Sequence, residues 1–333
     1  MYVESVMKAI VATQAGGPEV LTLADVRAPV PGPGEVLIDV VAAGINRADV
    51  QQRRGFYPPP PGASEILGLE VSGRIAGFGP GVTKPFTVGE KVVALLTGGG
   101  YAQQVAVPAG QVLPLPGGVD VVTAASLPEV AATVYSNLFM TAMLQPGETV
   151  LVHGGTGGIG VMAVQLAKAA GAFVIATAGS DEKVATLTSY LGADVAINYR
   201  TQDFVELVKD HTGGQGANVI LDVVGAKYLQ QNVDALAMYG RLVVIGLQGG
   251  AKAELNLGTL LAKRAAVIGT TLRARPVGEK SAIMDGVREN VWPLIADGTL
   301  KTVVDKTFPL AQASAAHTYF DSGTHVGKVL LTL

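Results

Sequence analysis

A chain of 333 residues, 49% hydrophobic and 15% charged, is long enough for two domains and too apolar to stay disordered. A formal net charge of −3 without any basic block argues against nucleic acid as the main partner. Cysteine is absent, which excludes disulfides, thiolate catalysis and cysteine-ligated zinc, and fits a reducing compartment, read here as the cytoplasm.

Residues 7–13 predict a first strand, and the opening MYVESVMKAIVATQ has no basic-then-apolar leader pattern. The turn cluster at 28–34 leads into a strand at 35–42. A short helical turn lies within 43–57, and four prolines at 58–61 make a rigid loop. Strands at 67–75 and 91–96 follow, so the first ~125 residues read as an irregular, mostly β domain. Helical spacing takes over at 120–143.

The stretch 149–180 organises the rest. It runs strand, glycine cluster, helix, second strand, over roughly the 30 residues a βαβ unit needs. Gly155, Gly157 and Gly160 fit G-x-G-x-x-G. In that context the first glycine serves the turn, the second a close pyrophosphate and the third helix packing. Thr156, Gly158 and Ile159 complete the turn, whose unpaired N–H groups face the phosphates of a dinucleotide. No membrane span is read here, since the periodicity is strand then helix.

Strand-like runs recur at 194–197, 219–223, 242–245 and 266–270, separated by helices at 181–191, 203–211 and 227–238. Alternation of this kind predicts an α/β, doubly wound Rossmann domain with a parallel sheet of six strands. A helix at 278–296, a strand at 302–308, a helix at 310–320 and a strand at 328–333 form a tail that returns to the first domain. The expected domains are 1–127 with 272–333, and 128–271. The apolar run 266–270 would be a sheet edge, which predicts a homodimer through that edge.

The second strand of the nucleotide unit ends Thr177-Ala178-Gly179-Ser180. Gly179 stands where an NAD-binding unit carries its ribose-binding acid. That leaves room for a 2′-phosphate, with Lys183 and Tyr199 as partners and Ser180 as helix cap. The reading favours NADPH, with Asp181 as the residue that would favour NAD instead.

His153, His211, His317 and His325 form no metal-binding pattern, and His153 reads as packed. Arg53 and Arg54 read as a solvated pair, and Trp292 as core.

The chain resembles the zinc-independent quinone oxidoreductases of the medium-chain dehydrogenase/reductase superfamily, the zeta-crystallin-like group. The markers are AGINRADVQQRRGFYPPPPGAS (43–64), ILGLEVSG (66–73), VHGGTGGIGVMAVQLAKAAGA (152–172), TAGSDEK (177–183), INYR (197–200), LDVVG (221–225) and HVGKVLL (325–331). The resemblance implies a mostly β GroES-like catalytic domain beside the Rossmann domain. It places Asn46 beside the nicotinamide ribose and Tyr57 in the substrate pocket, both as catalytic candidates. It sets Thr133, Gly225, Gly246, Leu247 and Leu272 around the nicotinamide half. Gly157 and Gly158 meet the pyrophosphate, and Gly179, Lys183 and Tyr199 form the 2′-phosphate pocket. Lys328 reaches the phosphates from the other domain.

Zinc relatives in the superfamily place cysteine and histidine where Asn46 and Leu69 stand, so no metal is expected and Glu70 reads as structural. The implied activity is metal-independent, NADPH-dependent hydride transfer to quinones or similar conjugated acceptors. An enone or enoyl C=C reductase is the alternative, and a non-catalytic NADPH-binding structural or sensing protein a further one.

Overall fold

The computed structural model describes residues 5–333, so the reading of the first four residues lies outside it. The chain divides into two compact units. One comprises Met1–Ala132, Leu272–Gly298 and Thr302–Leu333, the other Thr133–Thr271 and Thr299–Lys301.

The first unit is built from short strands. β1 (Val6–Ala12) and β2 (Leu21–Arg27) form an antiparallel pair of their own. β3 (Glu35–Gly44), β4 (Glu70–Phe78), β5 (Lys91–Leu95), β6 (Gln104–Pro108) and β7 (Val112–Pro114) follow. Along β3, Val36, Ile38 and Val40 point inward at every second residue and meet Val71 and Ile75 of β4 in one core.

In the second unit β8 (Thr149–Val152), β9 (Phe173–Ala178), β10 (Val195–Asn198), β11 (Ala217–Asp222), β12 (Leu236–Val244) and β13 (Ala266–Gly269) make a six-stranded sheet. All its pairings are parallel, in the order β10-β9-β8-β11-β12-β13. Consecutive residues such as Val150, Leu151 and Val152 are buried, because helices cover both faces. Sequence order reverses between β8 and β11, the switch point where such sheets bind ligands.

Ser180, Asp203 and Asn256 cap the helices Asp181–Ser189, Phe204–His211 and Leu257–Lys263, each side chain accepting from a first-turn N–H. The helix expected over 227–238 stops at Ala235, because Leu236 and Ala237 are buried as the start of β12. The helix expected over 278–296 is two, Val277–Asn290 and Trp292–Ala296. Pro293 has no N–H to continue the first. Trp292 is buried and its indole donates to Pro114 O at 2.8 Å.

β14 (Val304–Pro309) and β15 (Lys328–Thr332) belong to the first unit. β15 lies antiparallel to β3 and parallel to β14, giving the order β14-β15-β3-β4-β5-β7, with β6 also on β3. This register brings Lys328 to the carboxyl end of β3, beside Asn46.

Candidate active site

Five loops leave the carboxyl ends of β8 to β12 along one edge of the parallel sheet. The loop after β8 holds the glycine cluster. Its left-handed residue is Gly154, with φ of 67°, rather than Gly155 as the motif suggests. Gly155 is small for packing instead, since a Cβ there would stand 2.7 Å from Leu187 Cδ2 and 3.0 Å from Ala176 Cβ. At Gly160 a Cβ would meet Gly154 O at 2.2 Å and Gly155 Cα at 2.5 Å, so helix and turn touch backbone to backbone.

Gly157 is different. It precedes the helix Gly158–Ala169 with extended backbone, and a Cβ there would meet only Gly154 O, at 3.5 Å. The protein does not need a glycine at that point, but a phosphate laid on bare N–H groups does. The cradle therefore fits a pyrophosphate. Two substitutions separate the roles. Gly160→Ala is expected to lower unfolding free energy by about 2 kcal/mol, since backbone must shift. Gly157→Ala is expected to leave the melting temperature nearly unchanged while weakening nucleotide binding; melts and nucleotide titration check both.

Thr156 is buried within the turn, and Gly158 and Ile159 open the helix, half-buried. At the end of β9 a Cβ on Gly179 would lie 2.6 Å from the Tyr199 hydroxyl and 3.4 Å from Arg200 Nε. Tyr199 and Arg200 thus lean over the strand end. Ser180 Oγ accepts from Lys183 N at 3.3 Å, which sets Lys183 in the first turn of the next helix. Asp181 Oδ1 accepts from Asn198 Nδ2 at 2.7 Å, so that carboxylate is already engaged by β10. Arg200 is a residue that sequence reasoning missed; its only signal was adjacency to Tyr199 in INYR.

After β11 the buried Asp222 accepts from Val224 N and Gly225 N and pins a turn in which Gly225 has φ of 78°. Burial raises the Asp222 pKa. A Cβ on Gly225 would meet Gly250 O at 2.9 Å, and one on Gly246 would meet Val223 O at 2.7 Å. Leu247 follows, exposed. Thr133 is in the same unit, and its carbonyl accepts from Ser136 and Asn137 where a π turn, Ser136–Thr141, begins. Behind β8, His153 is buried between Thr177 and Asn232, and burial holds its pKa at about 4, so it packs as a neutral ring.

Asn46, Tyr57, Leu272 and Lys328 belong to the first unit. The Lys328 ammonium spends its three protons on Ile45 O (3.0 Å), Asn46 Oδ1 (2.7 Å) and Glu70 Oε1 (2.5 Å). Asn46 Nδ2 donates to the same Glu70 oxygen at 2.9 Å, and Glu129 N donates to Oε2 at 2.9 Å. The Asn46 amide is therefore fixed in one orientation, between a cation and an anion. Glu70 forms the ion pair with Lys328 in this cluster.

Three residues further on, Asp49 accepts from Asn46 N (2.8 Å), Gly68 N (3.0 Å) and the Tyr101 hydroxyl (3.3 Å). It ties the start of the helix Arg47–Arg53 to the segment leading into Glu70. Burial lifts its pKa to about 6 against those hydrogen bonds. Tyr101 meets His317 Nε2 at 3.1 Å, and His317 Nδ1 meets Arg53 at 3.0 Å. Arg53 is 1% exposed, which corrects its reading as half of a solvated pair: its partner Asp321 and His317 come from a distant helix.

Tyr57 is half-buried at the start of the proline loop. Burial and the Glu129 carboxylate push its hydroxyl pKa up, and Arg273 pulls it down. Among the described residues no three histidine, cysteine or acidic side chains gather as a metal-holding group. Among them, too, no helix is long and apolar enough to cross a membrane.

Two family models match: the alcohol dehydrogenase GroES-like domain over residues 32–117 and the zinc-binding dehydrogenase over residues 158–285. The chain is 34% identical to a 2-haloacrylate reductase from a Burkholderia species, covering 98% of each chain. It is 33% identical to a quinone oxidoreductase of Rattus norvegicus over 99% of each. A mycobacterial structure solved with NADPH superposes with a TM-score of 0.88 at 32% identity, covering 98% of this chain and 100% of that one.

Proposed function

The chain belongs to the quinone oxidoreductase family of the medium-chain dehydrogenase/reductases, and from that premise we propose an NADPH-dependent reductase of electron-poor conjugated acceptors. The observation that carries the reading is the open cradle at Gly157 beside an acid-free strand end flanked by Tyr199 and Arg200. When bound, NADPH supplies the hydride.

Each residue then has a task. The backbone of 155–160 takes the pyrophosphate, and the loop with Ser180, Lys183, Tyr199 and Arg200 takes the 2′-phosphate. One carboxylate oxygen of Asp181 is already engaged by Asn198, which holds that side chain toward β10. Gly225, Gly246 and Leu247 line the nicotinamide half, with Thr133 and Leu272. Asn46 keeps a loosely held Nδ2 hydrogen, 3.4 Å from Gly44 O, for a ribose hydroxyl. Lys328 acts through Asn46 and Glu70, since its protons are already engaged.

Tyr57 donates a hydrogen bond to the oxyanion that grows as hydride arrives. Tyr57→Phe is expected to lower turnover about a hundredfold. No metal is required, because a quinone or enone is already electrophilic. An NADPH-oxidation assay across quinones, enones, 2-haloacrylate and aldehydes, with and without chelator, tests the proposal. Turnover on a conjugated acceptor, indifferent to chelator, is expected. Activity that vanishes with chelator and returns with zinc would overturn it, and binding without turnover would favour a sensing role. Reduction of C=C bonds is the second reading, favoured by the haloacrylate relative.

The proposal extends to a cytoplasmic homodimer. Among the described residues β13 pairs only with β12, and the exposed Val267, Leu257 and Leu261 lie on and before it. A second copy pairing along that edge would cover them. Sedimentation at micromolar concentration is expected to give twice the chain mass of 34.0 kDa.

A further inference from the structure

Arg273 belongs to no motif of the sequence reading, yet it is one of the most constrained side chains of the first unit. It is 4% exposed. Its Nε donates to Thr97 O at 2.8 Å, one terminal nitrogen to Gln52 Oε1 at 2.7 Å, and the other to Tyr57 O at 3.4 Å. The guanidinium carbon sits 5.4 Å from the centre of the Tyr57 ring. One planar cation therefore joins the helix carrying Gln52, the loop carrying Tyr57 and the turn carrying Thr97. Lys280 braces it, donating to Thr97 Oγ1 at 2.6 Å and to the carbonyl of Arg273 at 3.3 Å.

Tyr57 is gripped by its ring and its carbonyl, while its hydroxyl has no hydrogen bond among the described residues. A side chain held by its body with its polar end unspent is prepared for a ligand. The charged groups around the pair are Glu129, Asp49 and Lys280. Glu129 disfavours a phenolate at Tyr57 and Arg273 favours one, so the guanidinium offsets the nearby carboxylate.

We propose that Arg273 is the positioning residue for Tyr57, fixing the ring by stacking and by its carbonyl, and polarising the hydroxyl that meets the substrate oxygen. The proposal deepens the function given above and rests on Tyr57 facing the acceptor. Arginine suits the task better than lysine, because only a planar fork can stack on a ring and donate sideways at once.

The test uses full-length protein labelled with 3-fluorotyrosine. The fluorine resonance of Tyr57 is identified by its loss in Tyr57→Phe. In Arg273→Gln the Tyr57 resonance is expected to move and its titration midpoint to rise. Turnover on an enone is expected to fall about tenfold, with NADPH affinity unchanged. Arg273→Lys is expected to restore the midpoint, which needs only charge, but not the resonance position or turnover, which need the fork. A wild-type resonance and midpoint in folded Arg273→Gln would overturn the proposal. Should that variant fail to fold, Gln52→Leu removes one acceptor of the guanidinium and is expected to move the same resonance; an unmoved signal overturns it equally. Wild-type turnover in Tyr57→Phe would instead sink the role given to Tyr57, and the resonance still reports on Arg273.

Discussion

Arg53→Met is expected to lower the unfolding free energy by about 3 kcal/mol, read as a lower denaturant midpoint at unchanged slope. The guanidinium donates to Gly16 O (3.3 Å), His317 Nδ1 (3.0 Å) and Asp321 Oδ2 (2.7 Å). Methionine fills the space and donates to none. Asp321 suffers little, because Arg47 and Arg54 each stay 3.3 Å away. The imidazole suffers more. Arginine can only donate, so Nδ1 is an acceptor and the ring proton is on Nε2. That proton goes to Tyr101, whose own hydrogen goes to Asp49. A directed chain thus runs from a buried cation to a buried carboxylate, and the substitution removes its first donor.

The same variant changes the acid limb. Burial first, and the Arg53 charge second, hold His317 at about 3, below its ordinary 6.5. The folded ring stays neutral while the unfolded chain takes up a proton. Between those two values stability falls as pH falls, by up to about 1.4 kcal/mol per pH unit. Without Arg53 the folded pKa rises and the window shortens from its acid end. Asp49 acts in the opposite sense: raised to about 6, its protonation favours the fold as pH falls toward its ordinary 3.8. Wild-type and variant stabilities should therefore run parallel at the upper end of that window and converge at its acid end, as pH falls toward about 3. Curves parallel throughout would show that His317 does not sense Arg53.

The nucleotide-binding half was legible because its determinants are local. Strand, glycines and helix follow one another within a single βαβ unit, and glycine sterics at Gly160 act across a few residues. Arg53 was not legible for the opposite reason. Its partners His317 and Asp321 are 264 and 268 positions away, and nothing near Arg53 distinguishes it from the exposed Arg54. Lys328 and Glu70 are 258 apart. Elements were missed where they are short and little of them is buried. The helix Leu257–Lys263 has no fully buried residue, although Leu257, Leu260 and Leu261 stand at helical spacing, and β2 buries only Leu21. The motif also misassigned the turn: G-x-G-x-x-G starts its count at Gly155, but the backbone reversal falls on Gly154.

Gly179→Asp is expected to reverse nucleotide choice, with NADPH affinity falling about a hundredfold and NADH affinity rising several-fold. The new Cβ would stand 2.6 Å from the Tyr199 hydroxyl. Tyr199 is 40% exposed, so it can swing outward without breaking the core. That swing removes one donor from the proposed 2′-phosphate site. Arg200 Nε, 3.4 Å from the same point, gains a carboxylate partner and is withdrawn as a free cation. The carboxylate also repels the phosphate directly, by about 1 kcal/mol for a pair near 4 Å in water and more at a protein surface. Three losses of about that size sum to the hundredfold change. The carboxylate in turn offers the ribose hydroxyls an acceptor at the strand end itself, where an NAD-binding unit carries its acid. Fluorescence titration of both nucleotides at low and high salt measures the effect, and the repulsive share should shrink as salt rises. Arg200→Ala should give about a tenfold loss for NADPH alone. If Gly179→Asp still held NADPH as tightly as the parent, the strand end of β9 would not be where the nucleotides are told apart.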